Sequence, residues 1–303
     1  MPVAEAAVIA APPARRWHAA PRAALAFLRG QPFAVVGVAI YAVFILVAVF
    51  ADAIASHDPR QILFSGAYRV ARYLPPSAEH LLGTTATGRD IFSQVVYGTR
   101  AALLVGVTAA FCVVCIGAVL GLLAGYLGGW VDSAIMRIAD VVLGLPFLPS
   151  VIVLSALTKP GTGTIVAAVA LLLWPNTARV IRSQVLSMRE RAWVDAARVT
   201  ACSPARIVFV HIGPQVAPLA ALYGSIAVGW AILTEASASF LGFGDPAIVS
   251  WGLMLQEAYA SQALSREAWN WFVPPGLCIV LLVLAGFLIS RGSEKLLFPK
   301  LGD

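Results

Sequence analysis

The sequence predicts an all-α integral membrane protein with six transmembrane helices and both chain ends on the cytoplasmic side. Its composition is 60% hydrophobic and 12% charged, whereas soluble domains average about 45–50% apolar and about 25% charged residues. Several uncharged apolar segments are long enough to cross about 30 Å of hydrocarbon. Most basic residues lie between these segments, on one predicted side. Together these observations exclude a water-soluble globular domain.

The chain begins with a predicted cytoplasmic tail, residues 1–32, which is rich in Ala and Pro. The first transmembrane helix is predicted at 33–55, because its uncharged run is longer than the apolar region of about 7–15 residues in a cleaved signal peptide. Residues 56–100 contain acids, bases and prolines, and we predict that they form an extracytoplasmic loop. The remainder, 101–303, is predicted to form a five-helix core.

The core has two long connections, a cytoplasmic loop at 184–214 and an outer loop at 242–271. The fourth span of the chain is predicted to end near Pro175. Its helix can extend beyond the membrane as far as Ser183. Each of the other spans is expected to be one continuous helix. The predicted spans of the core are 101–127, 134–157, 164–178, 212–234 and 272–290.

The orientation follows from the basic residues. Placing the N-terminus inside puts the tail, the loop around 179–211 and the C-terminus on one side, and these three segments hold 13 of the 21 Lys and Arg residues. Cytoplasmic loops of membrane proteins carry such an excess. The net charge of +6 therefore indicates membrane topology, and no nucleic-acid partner is predicted.

Gly117, Gly121 and Gly125 recur at four-residue spacing in the second span. On a helix they form one stripe, where a neighbouring backbone can approach closely. We therefore predict that they pack against another helix of the bundle. Cys112 and Cys115 form a C-x-x-C in the same span, and we interpret them as small apolar residues rather than a redox or metal pair.

The sequence contains no evident catalytic or nucleotide-binding constellation. None of the four histidines (His18, His57, His80 and His211) lies at a metal-ligand spacing from another His or a Cys, so no metal site is predicted. The three lysines follow Thr158, Glu294 and Pro299, so the Gly-Lys pair of a phosphate-binding loop is absent. Any work driven by ATP must therefore use nucleotide bound to another chain.

The cytoplasmic stretch after Arg191 predicts two short helices with a break between them. Asp195 and Arg198 lie at i, i+3 on the first helix. Ser203 followed by Pro204 predicts the start of the second, because Ser is a good N-cap and Pro suits the first helical position. On the residues alone, a docking element for a partner and a solvated connection both remain open.

This stretch resembles the EAA loop of bacterial ATP-binding-cassette (ABC) importer permeases. Asp195-Ala196-Ala197 matches its Glu-Ala-Ala opening, and His211-Ile212-Gly213-Pro214 matches its usual His-Ile-x-Pro end. The sequence departs from the pattern at Ala201, where the family favours Gly, and at Gln215, where Asn is common. We expect Ala201 to form a slightly different turn from the tight turn that Gly allows.

Three further segments resemble the dipeptide, oligopeptide and nickel permeases of this family. His80–Arg100 is similar to their outer-loop signature, with Thr85 in place of Asp and Gly88-Arg89-Asp90 intact. Ala124–Pro149 resembles the connection between their second and third spans, and Glu235–Leu255 resembles the exit from their fifth. The N-terminal extension with its own span is typical of the C-type partner in the two-permease pair.

The resemblance implies a type I ABC importer permease in the bacterial cytoplasmic (inner) membrane. Such a subunit forms half of a pathway for peptides or similar small solutes, and it is not itself an enzyme. The implied partners are a second homologous permease, two ATP-binding subunits, an extracytoplasmic solute-binding protein and membrane lipid. No cofactor is expected on this chain, since ATP and Mg²⁺ belong to the ATPase subunits. Dipeptides, oligopeptides, glutathione, nickel chelates and sugars all remain open as substrates.

The resemblance also places an ATPase-coupling surface on the cytoplasmic loop. Glu235, at the end of the fifth span, either lines the pathway as a mouth or outer gate or anchors the outer loop. Arg137 and Asp140 are interpreted as a local ion pair near the cytoplasmic interface. The predicted coupling residues are Asp195, Ala196, Ala197, Arg198, Ala201, Ser203 and Arg206.

Two other classes of membrane protein compete with this interpretation. An ion-coupled secondary transporter would need acids or histidines at membrane depth, often on broken spans related by a repeat, and this chain has few such residues and no visible repeat. A membrane-embedded enzyme would need a cluster of histidines and acids, or a nucleophile with its base. The sequence therefore favours the ABC permease, with the secondary transporter as the alternative.

Overall fold

The computed structural model describes residues 31–65 and 69–297. The predicted cytoplasmic tail, apart from its last two residues, and the basic residue Lys300 lie outside this part. Within it two short strands, β1 (Phe64–Ser65) and β2 (Arg69–Val70), pair antiparallel with Phe64 opposite Val70. The helices are α1 (Pro32–Val49), α2 (Ala51–Ile54), α3 (Ile91–Leu127), α4 (Gly129–Gly144), α5 (Phe147–Leu157), α6 (Thr162–Arg189), α7 (Ala192–Val199), α8 (Pro204–Arg206), α9 (Gly213–Phe240), α10 (Trp251–Ala260) and α11 (Trp269–Leu297).

The all-α membrane fold is confirmed, with a correction at the predicted third span. Five helical segments of the described chain, α1, α3, α6, Pro204–Phe240 and α11, are long and apolar enough to cross a membrane. The predicted continuous span 134–157 is wrong, because α4 and α5 meet at an angle of 91°. Pro146 lacks an N–H and restricts the residue before it, so Leu145 is extended and the helix stops. The total is six only if this bent pair counts as one span.

Four helices extend beyond their predicted ends: α3, α6, α9, which continues to Phe240, and α11, which covers Trp269–Leu297. α3 begins at Ile91, so the last ten residues of the predicted outer loop are helical. The Asp90 side chain caps this start by accepting a 2.8 Å hydrogen bond from the Ser93 backbone N–H. α6 continues through Pro175 to Arg189, beyond the extension to Ser183 that the sequence allowed.

The bundle is organised around α3, which packs against α6 and α9, while α1 packs against α11. The stripe of three glycines lies on the face of α3 that meets α6. A methyl group added to Gly117 would lie 2.6 Å from Thr177 Cβ, and one added to Gly121 would lie 2.6 Å from the Ala178 carbonyl oxygen. Gly125 meets Val185 in the same way, at 2.7 Å. The small residues therefore set how closely the two backbones approach.

The outward faces of the bundle carry large apolar side chains. Phe111 is 68% exposed, and Val43 and Val107 are similarly open. A contiguous apolar surface of this kind is unstable in water but suits the hydrocarbon of a bilayer. The exposure pattern therefore agrees with the membrane location that the composition predicted.

The segments outside the bundle at the Asp90 end form a compact outer cap, which we define as residues 55–65, 69–90 and 241–268. The Tyr73 hydroxyl donates to the Ser261 carbonyl at 2.9 Å, and Asn270 Nδ2, at the start of α11, donates to the Leu82 carbonyl at 2.7 Å. Arg89 Nη1 lies 3.2 Å from Glu257 Oε1 on α10. The cap is therefore cross-linked between segments that are far apart in sequence.

Candidate functional site

The resemblance directs attention to the α7–α8 segment, residues 190–212, at the other end of the bundle. α7 is an amphipathic helix of eight residues. On its inner face Val194 is fully buried, with Trp193 and Ala197 partly buried beside it. These side chains pack into an apolar cluster with residues of α3, α6 and the helical segment that follows α8. The opposite face is open, and Val199 is 87% exposed.

Charged contacts add to this packing. Arg198 Nη1 lies 3.0 Å from Asp195 Oδ1, and the Arg198 guanidinium lies 5.6 Å from the centre of the Tyr126 ring at the end of α3. Tyr126, and to a smaller extent Asp195, raise the pKa of Arg198 above its usual value. Because exposed ion pairs contribute at most about 1 kcal/mol, the apolar face rather than this pair holds α7 in place.

The turn after α7 corrects the expectation for Ala201. Its φ is +56°, in the left-handed region that favours glycine. The Ala201 N–H donates to the Arg198 carbonyl and the Cys202 N–H donates to the Ala197 carbonyl, both at 3.0 Å. This pair of bonds is a Schellman motif, the usual glycine-type end of a helix. The chain therefore forms the glycine-type turn with alanine, because the two bonds fix the backbone, and no different turn occurs.

The chain re-enters the bundle directly after this turn. Ser203 caps α8 by accepting from the Arg206 N–H at 3.4 Å, and Pro204 occupies the first helical position, as predicted. Ile207–Ile212 then form a π-helical segment, in which the Gly213 N–H donates to Val208. Its wider turn accommodates Pro214, which cannot donate to the residue four positions earlier. α8, this segment and α9 thus form one helical path into the membrane.

The structure places the predicted coupling residues on two sides of the segment. Ala197 is partly buried and faces the bundle. The other six are exposed, as is Val199 beside them, whose exposure was not predicted from the sequence. An apolar residue directly after Arg198, at the end of a short helix, was the available signal for its exposure. The exposed residues are Asp195, Ala196, Arg198, Ala201, Ser203 and Arg206.

Two ion pairs connect α4 to the C-terminal half of α6, the half that leads to α7. Asp132 accepts from Arg182 through both carboxylate oxygens, with an Nη2–Oδ2 distance of 2.6 Å. Asp140 pairs with Arg179. The predicted local pair between Arg137 and Asp140 is therefore wrong, because α4 lies alongside α6 and both of its aspartates meet arginines of that helix.

Glu235 lies near the outer end of α9, beneath the outer cap. Its side chain is 6% exposed, and Oε1 accepts a 2.7 Å hydrogen bond from the Ser239 hydroxyl. Gly244 and Gly252 approach Ser239 so closely that an added methyl would lie within 3 Å of it. The burial of Glu235 in this conformation favours the alternative that it anchors the outer loop. A role of Glu235 in gating stays a prediction.

A cavity of 430 Å³ lies where the bend between α4 and α5 meets α6 and α9. Its wall is mostly apolar, and Phe147 packs edge-on against Trp230 there, with ring centres 6.1 Å apart. Asn176, Thr177 and Tyr223 add polar groups. An apolar pocket with a few polar groups is the usual form of a small-molecule site.

Comparison with known proteins agrees with the resemblance. Residues 117–303 match the family described as binding-protein-dependent transport system inner membrane component, and residues 22–76 match the N-terminal transmembrane domain of oligopeptide transport permease C. The dipeptide transport system permease protein DppC of Alkalihalophilus pseudofirmus is 36% identical over 92% of this chain and 90% of its own. The oligopeptide transport system permease protein OppC of Bacillus subtilis is 35% identical over 90% and 87%. The glutathione transport system permease protein GsiD of Pectobacterium atrosepticum is 37% identical over 75% and 74%.

Proposed function

Because the chain belongs to the family of binding-protein-dependent transport system inner membrane components, we propose that its α7–α8 segment is the surface on which an ATPase subunit docks. The chain itself is a permease subunit of an ABC peptide importer in the bacterial inner membrane and has no catalytic role. The family gives no support to the ion-coupled alternative.

The observation that carries the proposal is the two-sided construction of α7. Its inner face is anchored through Val194, which is fully buried, while its outer face presents small and charged side chains such as Ala196. A groove on a partner can receive such a narrow face. A push on it reaches the bundle, because Val194 packs in the same apolar cluster as Val185 of α6 and Ile207 at the start of the returning helix.

The cavity at the α4–α5 bend is the candidate for this chain's share of the pathway. α4 and α5, whose bend lines the cavity, also expose apolar residues, among them Val141, which is 64% exposed, and Leu157, which is 79% exposed. A second, homologous permease covering these residues would enclose the cavity between the two subunits. The mixture of apolar wall with Asn176 and Tyr223 suits the backbone and side chains of a short peptide.

The remaining partners follow from the same premise. Two ATP-binding subunits would contribute ATP and Mg²⁺, and a solute-binding protein would deliver the peptide to the outer cap. Closure of the ATPases on ATP would move α7 and, through α6 and α9, change which side of the membrane the cavity faces. In this scheme the chain lines part of the pathway and also transmits the movement of the ATPase subunits to it.

The test is a bulky substitution on the exposed face of α7. Ala196→Trp should reduce ATP-driven peptide uptake by the reconstituted complex by about tenfold or more and should weaken co-purification of the ATPase subunits, since docking groups at an interface centre contribute about 2 kcal/mol or more. Ala260→Trp, at an exposed position on the outer cap, is the control and should retain the ATPase subunits. Wild-type uptake and ATPase retention in Ala196→Trp would contradict the docking assignment.

A further inference from the structure

Three residues of the outer cap, His57, His80 and Asp90, come together although they belong to different segments. One candidate ligand atom from each lies within 4.8 Å of the others. His80 is 6% exposed, Asp90 is completely buried and His57 is half-buried. The transport proposal uses none of these side chains.

The carboxylate of this cluster is held rigidly. Asp90 Oδ1 lies 3.1 Å from His80 Nδ1. Asp90 Oδ2 accepts from the Ser93 N–H at 2.8 Å and from the Ser93 hydroxyl at 2.7 Å. The Ser93 hydroxyl oxygen also receives the His57 backbone N–H at 3.1 Å. The site is thus preorganised by hydrogen bonds around its acidic member, as ligating carboxylates usually are.

His57 supplies a second, independent observation. Its Nδ1 is buried, and within residues 31–65 and 69–297 it has no hydrogen-bond partner. The His57 ring lies against that of His80, with ring centres 4.9 Å apart and planes inclined by 37°. A buried polar atom without a partner is costly, and a bound ion or water at this nitrogen would satisfy it.

We propose that His57, His80 and Asp90 bind a divalent cation of the zinc class. Two imidazoles and one carboxylate are typical ligands of Zn²⁺ and its neighbours in the first transition row. Mg²⁺ and Ca²⁺ are excluded as the preferred ions because they require oxygen ligands almost exclusively. Three protein ligands leave a fourth position for water, as in open zinc sites.

The bound ion would join three parts of the outer region. His57 follows α2, His80 lies in the middle of the cap, and Asp90 caps α3. A cation shared by them fixes the connection from the first helix against the start of the central one. This inference is independent of substrate identity and of the coupling role of α7, so its failure would leave the transport proposal unaffected.

The test uses the full-length chain in lipid nanodiscs after treatment with EDTA. Co²⁺ is added and its visible d–d absorption is followed, and Zn²⁺ is then used to displace it. We expect saturable binding at equimolar metal and competition by Zn²⁺ but not by Mg²⁺. Zn²⁺ should also raise the melting temperature of the chain, because a ligand that binds only the folded state stabilises it.

His57→Gln is the decisive variant, since it removes one imidazole while the backbone bond to Ser93 remains. It should weaken Co²⁺ binding by at least about tenfold, the smaller end of what losing even an outer-shell partner causes, and abolish the Zn²⁺-dependent melting shift. His80→Asn, whose amide can retain the bond to Asp90, should do the same. His211→Gln, at an exposed position beyond α8, is the matched control and should bind as the wild type does. Absence of Co²⁺ binding by the wild type, or undiminished binding by folded His57→Gln, would overturn the proposal.

Discussion

The two ends of the bundle are built in different ways. At the outer end, the cap is held by hydrogen bonds between segments that are distant in the sequence. One of them is the 2.9 Å bond from Trp251 Nε1 to the Val95 carbonyl. At the other end, α7 is a short helix held mainly by the buried Val194 and by the helices continuing on either side of it. The outer end is therefore braced by bonds between distant segments, whereas the α7–α8 segment keeps an exposed face, on which we propose that the ATPase docks.

The largest effect is expected from Val194→Asp. A carboxylate in the apolar cluster would have no partner, which costs about 3 kcal/mol or more, so α7 should leave the bundle and peptide uptake should be lost. Limited proteolysis of residues 190–212 would detect the released segment. Val199→Asp is the matched control, because the same substitution falls on the open face of the same helix. Equal protease sensitivity of the two variants would show that α7 is not anchored by its inner face.

A smaller loss of stability is expected at the outer end of the bundle, from Trp251→Phe. This change removes the donor to the Val95 carbonyl, together with the Nε1 atom that packs on Gly98, but keeps an aromatic ring at this position. Loss of the bond should cost about 1–2 kcal/mol, seen as a lower melting temperature. ATPase subunits should still co-purify, since α7 is distant in the chain and untouched. If ATPase retention fell together with the melting temperature, the two ends would not be separable in the way that we describe.

The turn after α7 gives a prediction of the opposite sign. Ala201→Gly should stabilise the chain by about 1 kcal/mol, because glycine adopts the left-handed conformation without a Cβ penalty. Thermal unfolding in nanodiscs would measure the gain. Thr200→Gly, at a residue with φ of −79°, should instead destabilise. A loss of stability in Ala201→Gly would mean that the backbone there is not left-handed.

The smallest effect is expected from Arg198→Ala, which removes the exposed pair with Asp195 and the contact with Tyr126. Stability should fall by less than about 1 kcal/mol, and by less at high salt because exposed pairs are screened. Any larger loss of ATPase binding would then report a direct contact between Arg198 and the partner. Comparing melting temperature with ATPase retention for this variant separates the two contributions.

The sequence was sufficient to predict the membrane class, the family and most spans, because apolar runs and local motifs are written in contiguous residues. The bend at Leu145-Pro146 was missed because both sides of it are equally apolar, and hydropathy carries no information on direction. The start of α3 was missed because Ser93 and Gln94 look like loop residues, although the cap buries them.

Contacts between segments that are far apart in the chain were harder to predict from the sequence. The pairing of Asp140 with Arg179 competes with an apparently suitable Arg137 one turn away, and only the packing of α4 on α6 decides between them. The cluster of His57, His80 and Asp90 obeys no short spacing rule, since a folded cap rather than a local motif assembles it. Ala201 shows the reverse case, because a residue type that argues against a turn is found in that turn.

The length of α3 has a consequence for how movement would pass between the two ends of the bundle. Its 37 residues contain no proline and, at about 1.5 Å per residue, span about 55 Å. One end carries Tyr126, which contacts Arg198, and the other begins at Asp90 in the outer cap. Within α3 no proline interrupts the backbone hydrogen bonds, so the helix has no proline kink at which it would bend. If an ATPase docks on α7 as we propose, a displacement at that end of α3 would reach the outer cap in the same movement.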